Sequence, residues 1–240
     1  MKSEEQFLAE YTDKDYERPS VAVDVALLSV MDDHPVALLI QRPEHPFAGA
    51  WQLPGAFIRM EESLDQAARR ALEEKAGITD LYIEQLYTFG EVDRDPRTRV
   101  ISVAYFALVD ATRLKPSKEK ACIARLEVPW KGETGGEVTA VFEGQRLEMA
   151  FDHAKILGMV IKRLRGKLRY APIGYELLGE TFTLHDLQRI HQAILGKKIN
   201  KDSFRRRMLA SGELEATGAL KKGGKHRPAA LYRHKKQKDA

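Results

Sequence analysis

Leu53-Pro54-Gly55-Ala56-Phe57-Ile58-Arg59-Met60-Glu61-Glu62-Ser63-Leu64, continued by Asp65-Gln66-Ala67-Ala68-Arg69-Arg70-Ala71-Leu72-Glu73-Glu74-Lys75-Ala76-Gly77-Ile78, writes a turn, a loop and a helix in one run. Leu-Pro-Gly is turn chemistry. Ser63 followed by Gln66 is a capping-box start, and Gly77 is placed to end the helix. Between them Leu64, Ala67, Ala68, Ala71, Leu72 and Ala76 fall on one face at helical spacing. Positions 71, 74 and 75 lie one turn apart, so Ala71, Glu74 and Lys75 are neighbours on the helix surface.

Outward from this run the chain alternates strands and helices. Upstream, residues 21–30 read as a largely buried strand and 35–40 as its partner across an Asp-Asp-His turn; residues 41–51, rich in turn formers, read as a loop, and 4–17 as a partly helical leader. Downstream, strands are predicted near 81–91, 99–109, 123–129, 137–142 and 145–149, with a charged turn at 91–98 and a helix from Asp152 to about Arg169. Such alternation predicts a mixed sheet flanked by helices. The segments expected are 1–150, a connecting helix at 151–170, and a separate unit at 171–240.

Charge separates the last segment from the rest. Residues 1–160 carry a net −9 and residues 161–240 a net +13, an acidic body with a basic tail suited to a polyanion. In the tail, Thr183-Leu184-His185-Asp186 opens a helix whose apolar face is Leu184, Leu187, Ile190, Ile194 and Leu195, and Gly196 closes it. Asn200 can cap a second, basic helix from Lys201 to Leu209, anchored by Phe204 and Met208. Residues 214–220 and 229–233 read as strands around a Gly-containing loop dense in cations. Two helices joined by a short turn and followed by a basic hairpin match a winged helix-turn-helix. The expected contacts to double-stranded operator DNA are Lys201, Ser203, Arg205, Arg206 and Arg207 from the helix, and Lys221, Lys222, Lys225, His226 and Arg227 from the wing. The three arginines are expected to reach base edges, the lysines to neutralise phosphates, and Ser203 to touch phosphate or cap locally.

The run at 53–78 resembles a Nudix box with its metal-binding centre damaged. In intact members a glycine and a glutamate precede Arg-Glu-hydrophobic-any-Glu-Glu-any-Gly-hydrophobic. Here the same positions hold Ala56, Glu62, then Arg70, Ala71, Leu72, Glu73, Glu74, Lys75, Ala76, Gly77 and Ile78. A register shifted by one would align Glu73 and Glu74, but Leu-Pro-Gly, Glu-Ser, the Ala-Ala pair and the closing Gly-Ile fit only the first. Magnesium wants oxygen ligands, and Ala71 and Lys75 remove two of three clustered carboxylates. A lysine there can meet a ligand's phosphate as a point charge, which favours binding over cleavage.

A degenerate Nudix domain followed by a winged helix is similar, over nearly the whole chain, to the Nudix-related transcriptional regulators of NAD metabolism. Phe182-Thr183-Leu184, Asn200 to Arg207 and Arg227-Pro228-Ala229 carry the tail's share of the likeness. The resemblance implies an α+β chain, with an N-terminal Nudix-like mixed sheet flanked by helices and a C-terminal winged helix-turn-helix domain. It implies a homodimeric repressor of NAD biosynthesis or salvage genes that senses ADP-ribose or a related nucleotide and requires no cofactor. Carried over by position, Arg42, Trp51, Gln52, Leu53, Pro54 and Gly55 border the nucleotide pocket, with Glu74 at the former metal site and Arg94, Arg97 and Tyr105 near phosphates or sugar. The alternative it leaves open is an active magnesium-dependent ADP-ribose pyrophosphatase with an accessory nucleic-acid-binding domain, using Glu62 with Glu73 or Glu74.

The remaining bounds are compositional. Cys122 is alone, so no intrachain disulfide forms, and the histidines lack ligand spacing, so no zinc site is expected. There is no basic-then-apolar leader and no run of some 18 apolar residues, so the expectation is a cytoplasmic protein with no membrane partner.

Overall fold

The computed structural model describes residues 3–11, 17–116, 120–168, 173–221 and 228–235. The body is a nine-stranded mixed sheet with the main order β5-β6-β1-β2-β7-β8-β9, in which β3 adds to β2 and β4 to β1. Its central strand β1 (Ser20–Met31) runs parallel to β6 (Val100–Leu108) and antiparallel to β2 (His34–Gln41). β7 (Ala121–Glu127), β8 (Thr139–Phe142) and β9 (Gln145–Arg146) extend one side by antiparallel pairing, and β5 (Glu84–Phe89) closes the other. The segment read as loop before the box ends in a two-residue strand, β3 (Trp51–Gln52), and β4 (Gly55–Phe57) follows Leu-Pro.

Strand periodicity sorts β1 into two cores. Val23, Val25 and Leu27 face helix α2 (Leu64–Ala76), and Ala26 and Leu28 face helix α3 (His153–Lys167). α2 begins and ends where its caps require: Ser63 and Gln66 form the reciprocal capping box, and Gly77 terminates at φ 65°. α3, expected as a connector, is instead a core layer, burying Ile156, Leu157, Val160, Ile161 and Leu164 against the sheet. Gly158 admits the strand-linking segment before β8, since a Cβ there would lie 1.8 Å from the Gly136 carbonyl oxygen. Of the leader, Glu4–Glu10 forms a short helix, α1, with its own capping box at Ser3.

The tail has its own core. A 3-10 turn (Tyr175–Leu177) leads to β10 (Phe182–Thr183), α4 (Leu184–Leu195), α5 (Lys201–Ala210), β11 (Leu214–Lys221) and β12 (Ala229–His234), with sheet order β10-β12-β11. Tyr175, Phe182, Leu187, Phe204, Met208 and Tyr232 pack together. α4 also sends Ile190 and Ile194 into the core beneath α3, so the tail is seated on the body. Arg165 of α3 fastens that seat: its Nε donates to the Ile194 carbonyl (2.8 Å) and its Nη1 to the carbonyls of Trp130 (3.1 Å) and Gly132 (3.0 Å). The Trp130 ring lies 4.6 Å from the guanidinium. No helix among the described residues is long and apolar enough to cross a membrane.

Candidate functional site: a cation-lined cleft and an exposed basic helix

Asp24 organises the cleft. Alternation along β1 turns it to the α3 side, and β4 passes directly opposite, with Gly55 in register with Asp24. A Cβ at Gly55 would sit 2.4 Å from Asp24 Oδ1 and 2.8 Å from the Val23 carbonyl, so only glycine allows this approach. Ser102, on the parallel neighbour β6, donates to Asp24 Oδ2 at 2.6 Å. α3 presents His153, whose Nδ1 accepts from the Leu53 N–H (3.0 Å) and whose Nε2 faces Asp24 Oδ1 at 3.4 Å. Arg94, from the charged turn, grips Asp152 with Nε and Nη2 (2.9 and 2.6 Å) and reaches Asp24 Oδ2 at 3.4 Å. Burial alone would raise the Asp24 pKa, but His153, Ser102 and Arg94 outweigh it and hold it at about 2. The floor of the cleft is therefore an internally paired network built around an ionised Asp24.

Above the floor lies a cavity of about 180 Å³ with a rim of arginines and aromatic rings. Arg42 donates from Nε to the Pro46 carbonyl (2.8 Å) and from Nη1 to Gln52 Oε1, and its guanidinium sits 4.8 Å from the Phe151 ring centre. Arg97 is held by Asp95 (2.7 and 3.0 Å) and lies between Phe57 (5.6 Å) and Phe151 (5.8 Å). Lys75 enters from α2. Flat rings and forked guanidiniums beside a single ammonium are suited to a ligand with an aromatic base and phosphates.

Of the residues singled out from sequence, Arg42, Gln52, Leu53, Gly55, Arg94 and Arg97 line this cavity. Four others do not, among them Pro54, whose carbonyl accepts from the Val25 N–H at 2.8 Å. Trp51 packs its half-buried ring on the core beneath α3. Tyr105 sits on the opposite face of the sheet, because β6 alternates as β1 does; it is buried under α2 and donates to Asp65 Oδ1 at 2.7 Å. Glu74 turns outward to Arg59 and Arg70, each at 3.4 Å. Sequence reading missed Asp24, Phe57, Phe151 and Asp152; His153, at the start of the helix expected from Asp152, reads from sequence only as a capping or packing residue. Asp24 alone carried a signal, being the one charged residue in the apolar run 21–30.

The magnesium chemistry of an intact box does not fit these residues. Ala71 is fully buried, Glu74 is engaged by two arginines, and Glu62 is chelated by Arg70 and by the Arg59 N–H (2.7 Å), which together hold its carboxyl at about 2. Among the described residues no group of three His, Cys, Asp or Glu side chains is gathered as a metal site.

In the tail, Asn200 Oδ1 accepts from the N–H groups of Asp202 (3.1 Å) and Ser203 (3.0 Å), which fixes the start of α5. Phe204 and Met208 anchor it, leaving Lys201, Ser203, Arg205, Arg206 and Arg207 exposed. Asp202, Ser203 and Arg206 share the outward face by helical spacing. Arg207 departs from the expectation that all three arginines project alike. Three residues after Phe204, it leans back over that ring (5.6 Å) and lines a cavity of about 340 Å³ with Arg165, Lys197 and Lys198. Lys221 pairs with Asp186 at 3.3 Å, near the start of α4. Lys222, Lys225, His226 and Arg227 lie outside the described residues.

Comparison with known proteins accounts for both halves. Residues 18–131 match the NUDIX domain model, and residues 174–234 match the NrtR DNA-binding winged helix domain. The chain is 38% identical over 233 residues to the ADPR responsive transcriptional repressor NtrR of Acinetobacter baylyi, covering 96% of this chain and 88% of that one. The chain belongs to the NrtR family. Shewanella oneidensis NrtR, solved in complex with a 27mer DNA, superimposes with a TM-score of 0.74 at 35% identity, covering 90% of this chain and 93% of that one. Outside the NrtR proteins, an ADP-ribose pyrophosphatase of Methanocaldococcus jannaschii is 30% identical over 142 residues, covering 59% of this chain and 73% of its own. The α+β architecture expected from sequence, a Nudix-like mixed sheet with a C-terminal winged helix, is the one observed.

Proposed function

We propose that this protein is a ligand-gated transcriptional repressor: the winged helix binds operator DNA, and the NUDIX domain senses ADP-ribose or a related nucleotide without hydrolysing it. The observation that carries this reading is the cleft itself, cation-rimmed as a nucleotide site but with the catalytic carboxylates replaced or tied up by arginines. The end-to-end likeness to an ADPR responsive repressor supports it. The DNA contacts of this reading are Lys201, Ser203, Arg205 and Arg206 on α5, with Lys221, Lys222, Lys225, His226 and Arg227 after it. The ligand contacts are Arg42, Gln52, Leu53, Gly55, Arg94 and Arg97. As a two-fold homodimer the protein would read a palindromic site, and its targets are genes of NAD biosynthesis or salvage.

The test is selection of duplexes from a random DNA pool by the purified protein, followed by titration of ADP-ribose with and without the enriched duplex. Reciprocity requires ADP-ribose to change DNA affinity by the same factor by which DNA changes ADP-ribose affinity. A symmetric motif is expected, with the same coupling factor measured in both directions; no enriched motif overturns the reading. The hydrolase alternative, favoured by the likeness to an ADP-ribose pyrophosphatase, predicts release of AMP from ADP-ribose that is lost in Glu74→Gln.

A further inference from the structure

We infer that Lys75 takes the place of the metal: the effector's diphosphate is held by a fixed ammonium from α2 together with Arg42, so that sensing is independent of divalent cations. The inference rests on the nucleotide reading of the cleft and goes beyond it, because it names which charges meet the phosphates and removes a co-ligand from the regulatory equilibrium.

Four cations line the cleft, and two are already matched. Arg94 is paired with Asp152 and Asp24, and Arg97 with Asp95. Arg42 donates to a carbonyl and an amide oxygen, neither of them charged. Lys75 has no hydrogen-bond or ion-pair partner among the described residues, although it is half-buried and Glu73 and Glu74 directly precede it on the same helix. Glu74 cannot serve it because Arg59 and Arg70 turn that side chain away. Two cations in one cleft without a carboxylate in contact call for a ligand with two negative charges, which a nucleoside diphosphate derivative supplies.

The helix explains why Lys75 can reach. It follows Ala71 by one turn, on the side of α2 that buries Ala68, Ala71 and Leu72, and so emerges at the cleft edge beside β4. Ala71 adds no bulk or charge above it, so the ammonium has the space that a carboxylate and its metal would fill. A metal brings two charges but must be captured from solution and coordinated by several oxygens; a lysine brings one charge, already in place. Such a site polarises the diphosphate too weakly to activate a water, yet binds it, which suits a sensor.

The test is calorimetric titration of ADP-ribose into the full-length protein, once in EDTA and once in millimolar magnesium. Equal dissociation constants within about twofold are expected for the wild type. Lys75→Met should weaken ADP-ribose by roughly tenfold or more, the scale of a lost charge-assisted hydrogen bond, and adenosine far less. Lys75→Arg should retain most of the affinity. Lys75→Glu should bind poorly in EDTA and recover in part with magnesium. Thermal unfolding without ligand should be alike in all four proteins, which separates a binding role from a structural one. A wild-type affinity that collapses in EDTA overturns the inference and leaves the sensor reading standing, as does an unweakened Lys75→Met. Failure of the wild type to bind ADP-ribose under either condition overturns the sensor reading itself.

Discussion

On the proposed function the cleft and the basic helix solve the same problem, recognition of phosphate by arginine and lysine, in opposite ways. In the cleft the arginines are buried or braced: Arg94 is held by two aspartates, Arg97 by Asp95 and two rings, and Arg42 by a carbonyl, an amide and a ring. On α5, Arg205 and Arg206 are exposed and form no ion pair among the described residues. A small ligand gains from cations whose geometry is set before it arrives. A long polyanion gains from cations free to displace its counterions and adjust to each base step. The contrast also predicts where mutations hurt: at the ion-paired arginines of the cleft they should cost folding, on the helix they should cost binding.

The sharpest break of that contrast is Arg94→Ala. It leaves Asp24 and Asp152 buried without their partner, and loss of one member of such a network costs about 3–5 kcal/mol. Chemical denaturation should show this loss in the NUDIX body; an unchanged midpoint would mean that the floor of the cleft is not a structural unit.

Acid should separate the halves in the other order. His191 is packed against Phe204 between α4 and α5, and burial, with a smaller push from Arg207, lowers its pKa from 6.5 to about 4. A depressed histidine contributes stability above its unfolded pKa that is lost as pH falls toward the folded one. The winged helix should therefore weaken between pH 6.5 and 4, by about 3 kcal/mol at most. The Asp24 network, depressed from 3.8 to about 2, should hold until pH falls below about 4. Hydrogen exchange across this range would show the tail opening first; simultaneous opening would mean that the seat of α4 on α3 makes one cooperative unit.

Smaller effects sharpen the division within the tail. Arg206→Ala, at the centre of the outward face, should cost about 1–3 kcal/mol of discrimination for the cognate duplex over a mismatched one. Lys201→Ala should weaken all sequences alike and flatten the salt dependence by about one unit of slope. Identical profiles for the two would erase the distinction between base and phosphate contacts. Asn200→Ala removes the cap on α5 at a cost of about 1 kcal/mol; it should lower DNA affinity and leave the ADP-ribose isotherm of the free protein unmoved.

Much of this architecture could be read locally. Ser63-Gln66, Thr183-Asp186 and Asn200 cap the helices they were expected to cap, and Gly77 and Gly196 end them in the left-handed conformation. These signals act within a few residues, so no tertiary information is needed. The site was less legible because parity and register decide it. Tyr105 and Ser102 lie on one strand three residues apart, yet one is buried under α2 and the other donates to Asp24 in the cleft. Phe151, Asp152 and His153 are remote in sequence from the box, and the Leu53–His153 hydrogen bond closes a separation of 100 residues.

The chain by itself determined its elements, the loss of two box carboxylates at Ala71 and Lys75, and the charge asymmetry that sets a basic reader on an acidic body, because these follow from spacing, capping and composition. Only the tertiary structure decided that Asp24 and the start of α3 complete the cleft, that Glu74 and Tyr105 face away from it, and that Arg207 leans back toward the body. The physical reason is the same in each case: a side chain's partners depend on which strands pair and in what register, and those choices are made by burial across the whole molecule rather than by any short run of residues.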